Sequence, residues 1–173
     1  MNKIISQDLF AQPAMRYLMY AVIGMLLSVV HLVFLRFIAV ESVTPDLILL
    51  LVIWIALAEG QFIGVIAGFC FGLFYDAVSK DVLGTNALAK TVAGFVAGYF
   101  YKEGHTMQII GSFKFLFIIG VCAFIHNLIY FFLYIRPMEV SFGRFFLIYG
   151  VATTLYTTVV AVFPMLFVNR RND

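Results

Sequence analysis

GQFIGVIAGFCFGLFYD, residues 60–76, is the stretch on which the fold turns. Gly60, Gly64, Gly68 and Gly72 recur every four residues, and Asp76 takes the next step. Residues four apart share one face of a helix, so the segment is a helix with a nearly bare stripe. The intervening positions are large and apolar, among them Phe62, Ile66, Phe69 and Phe74. In water each interior glycine costs about 1 kcal/mol relative to alanine. In a bilayer small residues let another helix backbone approach closely, and packing drives association there.

Composition agrees with the bilayer. Of 173 residues 64% are hydrophobic and 12% charged, and the mean hydropathy is +1.04. A soluble domain carries roughly 25% charged residues, so the chain reads as an all-α integral membrane protein. A net charge of +2 gives no reason to expect nucleic acid as a partner. Cys70 and Cys122 both lie in apolar runs, which argues against a disulfide framework.

Upstream of the stripe, Thr44-Pro45-Asp46 is a helix-start signature, with Thr44 as cap, Pro45 in the first turn and Asp46 at the positive end of the dipole. The apolar run Leu47–Ala58 is twelve residues long, a rise of about 18 Å against a hydrocarbon core of about 30 Å. One long bent helix would put Glu59 at mid-membrane at a cost of ~3 kcal/mol. Two short helices meeting in a turn at Ala58–Gly60 avoid this, with Glu59 facing water and neighbouring helices shielding the short spans. Downstream, VSKDVLG (78–84) is a turn-like loop, and Thr85 and Asn86 are candidate caps for the next helix. That helix carries Lys90 and a second small-residue pair, Gly94 and Gly98. The two small-residue helices should pack as a tight antiparallel pair.

The rest supplies further spans. A single membrane domain, residues 1–173, is expected to cross the bilayer near 15–38, 45–58, 60–77, 86–101, 113–135 and 145–168. The first is read as a retained span rather than a cleaved signal peptide, with Arg16 and Arg36 at its ends and His31 hydrogen-bonded within the bundle. Met1–Pro13 is either a short interfacial helix or a tail. The segment 101–112 is the most polar loop. The fifth span holds His126-Asn127 and closes at Arg136-Pro137, and the sixth carries a hydroxyl face of Thr153, Thr154, Thr157 and Thr158. Such hydroxyls commonly bond back to their own helix. Six spans place both termini on one side. Lys3, Arg16, Lys102, Lys114, Arg170 and Arg171 against Arg36, Lys80, Lys90, Arg136 and Arg144 favour the cytoplasm for them.

No HExxH, CxxC, GxSxG or phosphate-loop motif occurs, so no catalytic, metal or cofactor-binding residue is assigned and the chain reads as non-enzymatic. Asp46, Asp76, Lys90 and His126 are the intramembrane polar residues from which a transport cavity could be built. Asp76 stands out, because a carboxylate at a helix C-terminus opposes the macrodipole. Lys80, Lys90 or the free N–H groups opening the next helix can compensate it. The Thr85–Ala87 backbone is the favoured partner, which makes Asp76 a latch between the two small-residue helices.

The ordered set Pro45-Asp46-Leu47, Gly72-Leu73-x-x-Asp76 and Gly84-x-Asn86-Ala87-Leu88 resembles the rod shape-determining protein MreD family of bacteria. The detailed match runs over Thr44–Phe100, about a third of the chain. The resemblance implies a compact bundle of six transmembrane helices, similar to the substrate-binding subunits of energy-coupling-factor transporters. It implies a scaffold in the inner membrane that binds MreC directly, through a membrane helix and juxtamembrane part. MreB, RodA and its transpeptidase would be further members of the complex that makes peptidoglycan during elongation. The alternative is a vitamin-type substrate-binding subunit of a transporter. On either reading Gly60, Gly64, Gly68, Gly72, Gly94 and Gly98 serve helix packing or partner docking, and Thr44, Pro45, Asp46, Asp76, Gly84 and Asn86 are structural polar or motif positions.

Overall fold

A computed structural model describes residues 13–34, 37, 39, 43–79, 82–135 and 141–172. Residues 1–12 of the segment Met1–Pro13, together with Arg36, Lys80 and the Arg136-Pro137 closure, lie outside the described residues. The fold is all-helical: α1 (Pro13–Val33), α2 (Leu47–Glu59), α3 (Gln61–Ser79), α4 (Thr85–Gly98), α5 (Thr106–Ile110), α6 (Phe113–Ile135), α7 (Phe142–Phe145), a π-helical segment Phe146–Gly150, α8 (Val151–Val160) and α9 (Val162–Asn172).

Four stretches are long and apolar enough to cross a membrane: Ala14–Val33, Gln61–Ser79, Phe113–Tyr134 and Phe142–Asn169. α2 is a shorter apolar helix, and α4 has 14 residues. Of the six expected spans four are thus long enough to cross, while the segments expected at 45–58 and 86–101 form short helices that hold the centre. Ile48, Leu49, Val52, Ile53, Ala56 and Leu57 of α2 are fully buried. A helix that is apolar all round belongs inside, where neighbours rather than lipid cover it. α2 packs on α3, α4, α6 and α1, and its core cluster joins Leu49, Ile53 and Leu57 to Ala93 and Ala97 of α4 and Ile119 and Cys122 of α6. Neither Cys70 nor Cys122 is in a disulfide.

α2 and α3 are separate helices meeting at Gly60, whose φ of +93° is a conformation side-chain-bearing residues rarely adopt. Glu59 at this corner does not face water as expected. Arg16 of α1 covers it, Nε lying 2.9 Å from Oε1, and the Tyr20 hydroxyl donates to the same oxygen at 3.1 Å. The start of α2 is also shifted. Thr44 and Pro45 precede the helix, and Asp46 is the N-cap, its Oδ1 accepting from Leu49 N–H at 2.8 Å. Asp46 outcompetes Thr44 because a carboxylate there gains from both the cap bond and the dipole.

The polar loop 101–112 contains α5, whose Thr106 hydroxyl donates to the Leu57 carbonyl at 3.1 Å, satisfying one end group of α2. The last arm is not one uniform helix. It passes through the π-helical segment, and α8 gives way to α9 at Ala161. Pro164 accounts for the second break: it has no N–H to donate to Val160 and its ring crowds that carbonyl.

Candidate functional site

Among the described residues the α3–α4 seam is the most extensive helix contact. A Cβ added at Gly64 would run into Ala56 of α2 and lie 3.1 Å from the Gly94 carbonyl. At Gly68 it would run into the Lys90 carbonyl, at Gly72 into Ala87, and at Gly98 into Gln61. The partners descend along α4 as the glycines ascend α3, which is antiparallel packing in a four-residue register. The stripe of α3 thus faces α4 of its own chain. Gly60 instead makes the corner, beneath the Tyr101 ring. α1 is seated on α3 by the Phe71 ring lying over Gly24.

The seam ends in Asp76, which is fully buried. Its carboxylate accepts three backbone N–H groups: Gly84 at 2.9 Å, Asn86 at 3.1 Å and Ala87 at 3.2 Å. Thr85 N–H, anticipated as a partner, bonds to the Val82 carbonyl instead. Neither Thr85 nor Asn86 caps α4. The N-cap is Gly84, in the left-handed region with no side-chain bond, and the carboxylate from α3 occupies the capping position. An anion at the positive end of α4 offsets its unfavourable place at the negative end of α3.

A second carboxylate lies at the same end of the bundle. Asp46 is 7% exposed and Lys90 1%. Lys90 Nζ lies 2.5 Å from Asp46 Oδ2, 2.9 Å from Asn86 Oδ1 and 3.2 Å from His126 Nε2. These three acceptors use all three ammonium hydrogens. An ammonium only donates, so His126 Nε2 accepts and Nδ1 carries the ring proton. Nδ1 lies 3.3 Å from Asn127 Oδ1, which leaves the Asn127 amide to donate to Thr154 Oγ1 at 2.9 Å and to the Gly150 carbonyl at 3.3 Å. Thr154 itself donates to Gly150 O at 2.8 Å. Gly150 O thus accepts from two side chains, Asn127 across the helix contact and Thr154 four residues on in its own helix. Thr157 closes the cluster from α8, accepting from Asp46 N–H at 3.0 Å.

Sequence reasoning singled out Asp46, Asp76, Lys90 and His126 as a set. The structure brings Asp46, Lys90 and His126 together and holds Asp76 apart on backbone. It adds Asn86, Asn127, Thr154 and Thr157. Asn127 was named beside His126, and the threonines as a hydroxyl face. The face divides: Thr154 and Thr158 bond back to their own helix, while Thr157 reaches α2 and Thr154 also receives Asn127. His31 is not hydrogen-bonded through Nδ1, which has no partner; its ring meets Tyr75 edge-on at 5.0 Å.

Above the cluster opens a cavity of ≈ 410 Å³, with Asp46, Asn86, His126 and Asn127 at its polar side and Tyr75, Tyr130, Tyr134 and Tyr149 among its walls. Among the described residues no three His, Cys, Asp or Glu side chains converge as a metal set.

A multi-pass, all-helical membrane protein with a glycine seam latched by a carboxylate and a buried ion cluster is the class these features define. The family model described as rod shape-determining protein MreD matches residues 13–170. The chain belongs to that family, and membership supports a role in rod-shape determination. No curated protein and no solved structure matches it.

Proposed function

We propose that the protein is a non-enzymatic scaffold of the cell-elongation machinery in the bacterial inner membrane. In this reading it binds MreC directly and links the MreB cytoskeleton to peptidoglycan synthesis by RodA and its transpeptidase. Six helices enter the membrane, with both termini in the cytoplasm. The observation that carries the reading is the family match over residues 13–170. The helix arrangement bears on where MreC can dock. The glycines of α3 and α4 are engaged with each other, so a partner span would lie on outward apolar faces such as Val22, Leu26 and Val29 of α1 or Phe117 and Phe124 of α6. Photo-crosslinking residues placed at Leu26 and Phe117, with MreC co-expressed, test this. MreC adducts at one of these faces and MreC co-purification are expected. Absence of both overturns the scaffold reading.

A second reading, a vitamin-type substrate-binding subunit with the fold of energy-coupling-factor transporters, draws on the ≈ 410 Å³ cavity. It requires co-purification with energising transporter subunits instead of MreC.

A further inference from the structure

The cavity has a chemistry that narrows its occupant. Asp46 is its only carboxylate among the described lining residues, and Lys90 neutralises it. Lys90 has no hydrogen left to offer, since Asp46, Asn86 and His126 take all three. An anion therefore finds no free ammonium, and a cation finds a carboxylate already paired. Entry of either charge into this half-apolar space carries a desolvation cost with no free opposite charge to offset it.

Two buried polar atoms at the cavity are unpaired. Asn86 gives its Oδ1 to Lys90, which fixes the amide orientation, and its Nδ2 has no hydrogen-bond partner. His31 Nδ1 has none either. An unsatisfied buried donor costs about 1–3 kcal/mol, so a group that supplies an acceptor there is favoured. One wall is a ladder of flat rings at four-residue spacing on α6. His126 and Tyr130 lie 8° from parallel with centroids 6.1 Å apart, and Tyr130 and Tyr134 lie 16° from parallel at 5.7 Å. A wall of aromatic rings suits an aromatic ligand, which such rings can meet by edge or by face. A volume of ≈ 410 Å³ falls in the range of small-molecule pockets.

We propose that this cavity is a binding site for an uncharged, planar ring compound that presents a hydrogen-bond acceptor to Asn86 and lies along the Tyr130–Tyr134 wall. The proposal rests on the cavity alone and holds for a scaffold as for a transport subunit, so its failure leaves MreC binding untouched.

The test uses the full chain in lipid nanodiscs and three probes of one shape and different charge: indole-3-acetamide, indole-3-acetate and tryptamine. Titration calorimetry should give saturable one-to-one binding of the neutral amide, at least about tenfold tighter than either charged probe. Asn86→Ser should weaken it roughly five- to tenfold through the lost hydrogen bond. Tyr134→Leu, which leaves the ion cluster intact, should weaken it by a similar factor and serves if Asn86→Ser fails to fold. No saturable binding of the amide, equal binding of all three probes, or unchanged binding in Tyr134→Leu would each overturn the proposal, the last two marking partition into the bilayer.

Discussion

Two carboxylates lie at one end of this bundle and are held in opposite ways. Asp76 is bound entirely by backbone, three N–H groups at the start of α4. Asp46 is bound by its own cap and by a lysine that reaches it from α4. A backbone cradle is neutral and tied to the helix that supplies it, so Asp76 fastens α3 to α4 and nothing more. A side-chain pair carries two charges that depend on each other, and its bonds run on through His126 and Asn127 to α8. Asp46 lines the cavity and Asp76 does not. The first arrangement is closed. The second joins four helices and leaves polar atoms at an opening.

The sharpest way to break that contrast is to remove one partner of the second arrangement. Lys90→Met leaves Asp46 buried without its cation, and should cost about 3–5 kcal/mol of stability in thermal or SDS unfolding. The double variant Asp46→Leu/Lys90→Met removes both charges, and should recover most of the loss, because a well-packed apolar pair is often no worse than a buried ion pair. If the double variant is as unstable as Lys90→Met, the pair is not the unit proposed.

The seam comes next. Gly68 faces the Lys90 carbonyl so closely that a Cβ would fall under 3.0 Å from it. Backbone cannot step aside as a flexible side chain can. Gly68→Ala should cost about 3 kcal/mol, at the upper end of overpacking penalties, whereas Gly84→Ala, with open space around its Cβ, should cost only what its φ of +95° imposes, about 1 kcal/mol. Parallel unfolding measurements separate crowding from backbone strain.

Asp76→Asn is the smaller test of the cradle. It keeps one acceptor oxygen and turns an NH2 group towards backbone donors, for an expected loss of about 1–3 kcal/mol. A loss as large as that of Lys90→Met would mean that Asp76 also answers to a charge.

Much of this was readable beforehand, for identifiable reasons. The four-residue glycine spacing prescribes a close helix seam whatever the neighbour, and α4 carried the matching small residues. A carboxylate at a helix C-terminus needs compensation, which pointed to the α4 backbone. The corner at Gly60 followed from the cost of placing Glu59 in mid-membrane. The polar cluster was legible only as a parts list. Lys90 and Asp46 are 44 positions apart, and no local rule chooses one partner for Lys90 over another. The π-helical segment Phe146–Gly150 has no composition signal, since it reads as ordinary apolar helix. Thr44 and Pro45 matched a start signal that Asp46 fulfilled two residues later, a displacement set by the competing cap rather than by propensity.

The smallest effect belongs to the other end of the bundle and bears on whether burial, rather than ion pairing as such, makes Asp46–Lys90 strong. Arg16 and Glu59 form a pair of ordinary geometry, 2.9 Å, but the arginine side chain is 42% exposed against 1% for Lys90. Removing Arg16 uncovers Glu59 to water and leaves it the Tyr20 hydroxyl, so the carboxylate is not stranded as Asp46 would be. Arg16→Ala should lower stability by no more than about 1 kcal/mol. Raising the salt to about 1 M shortens the screening length to roughly 3 Å, which should shrink the loss further while leaving the Lys90→Met deficit unchanged. Equal salt sensitivity in the two variants would mean that water reaches Lys90, and the buried cluster would then be an open one.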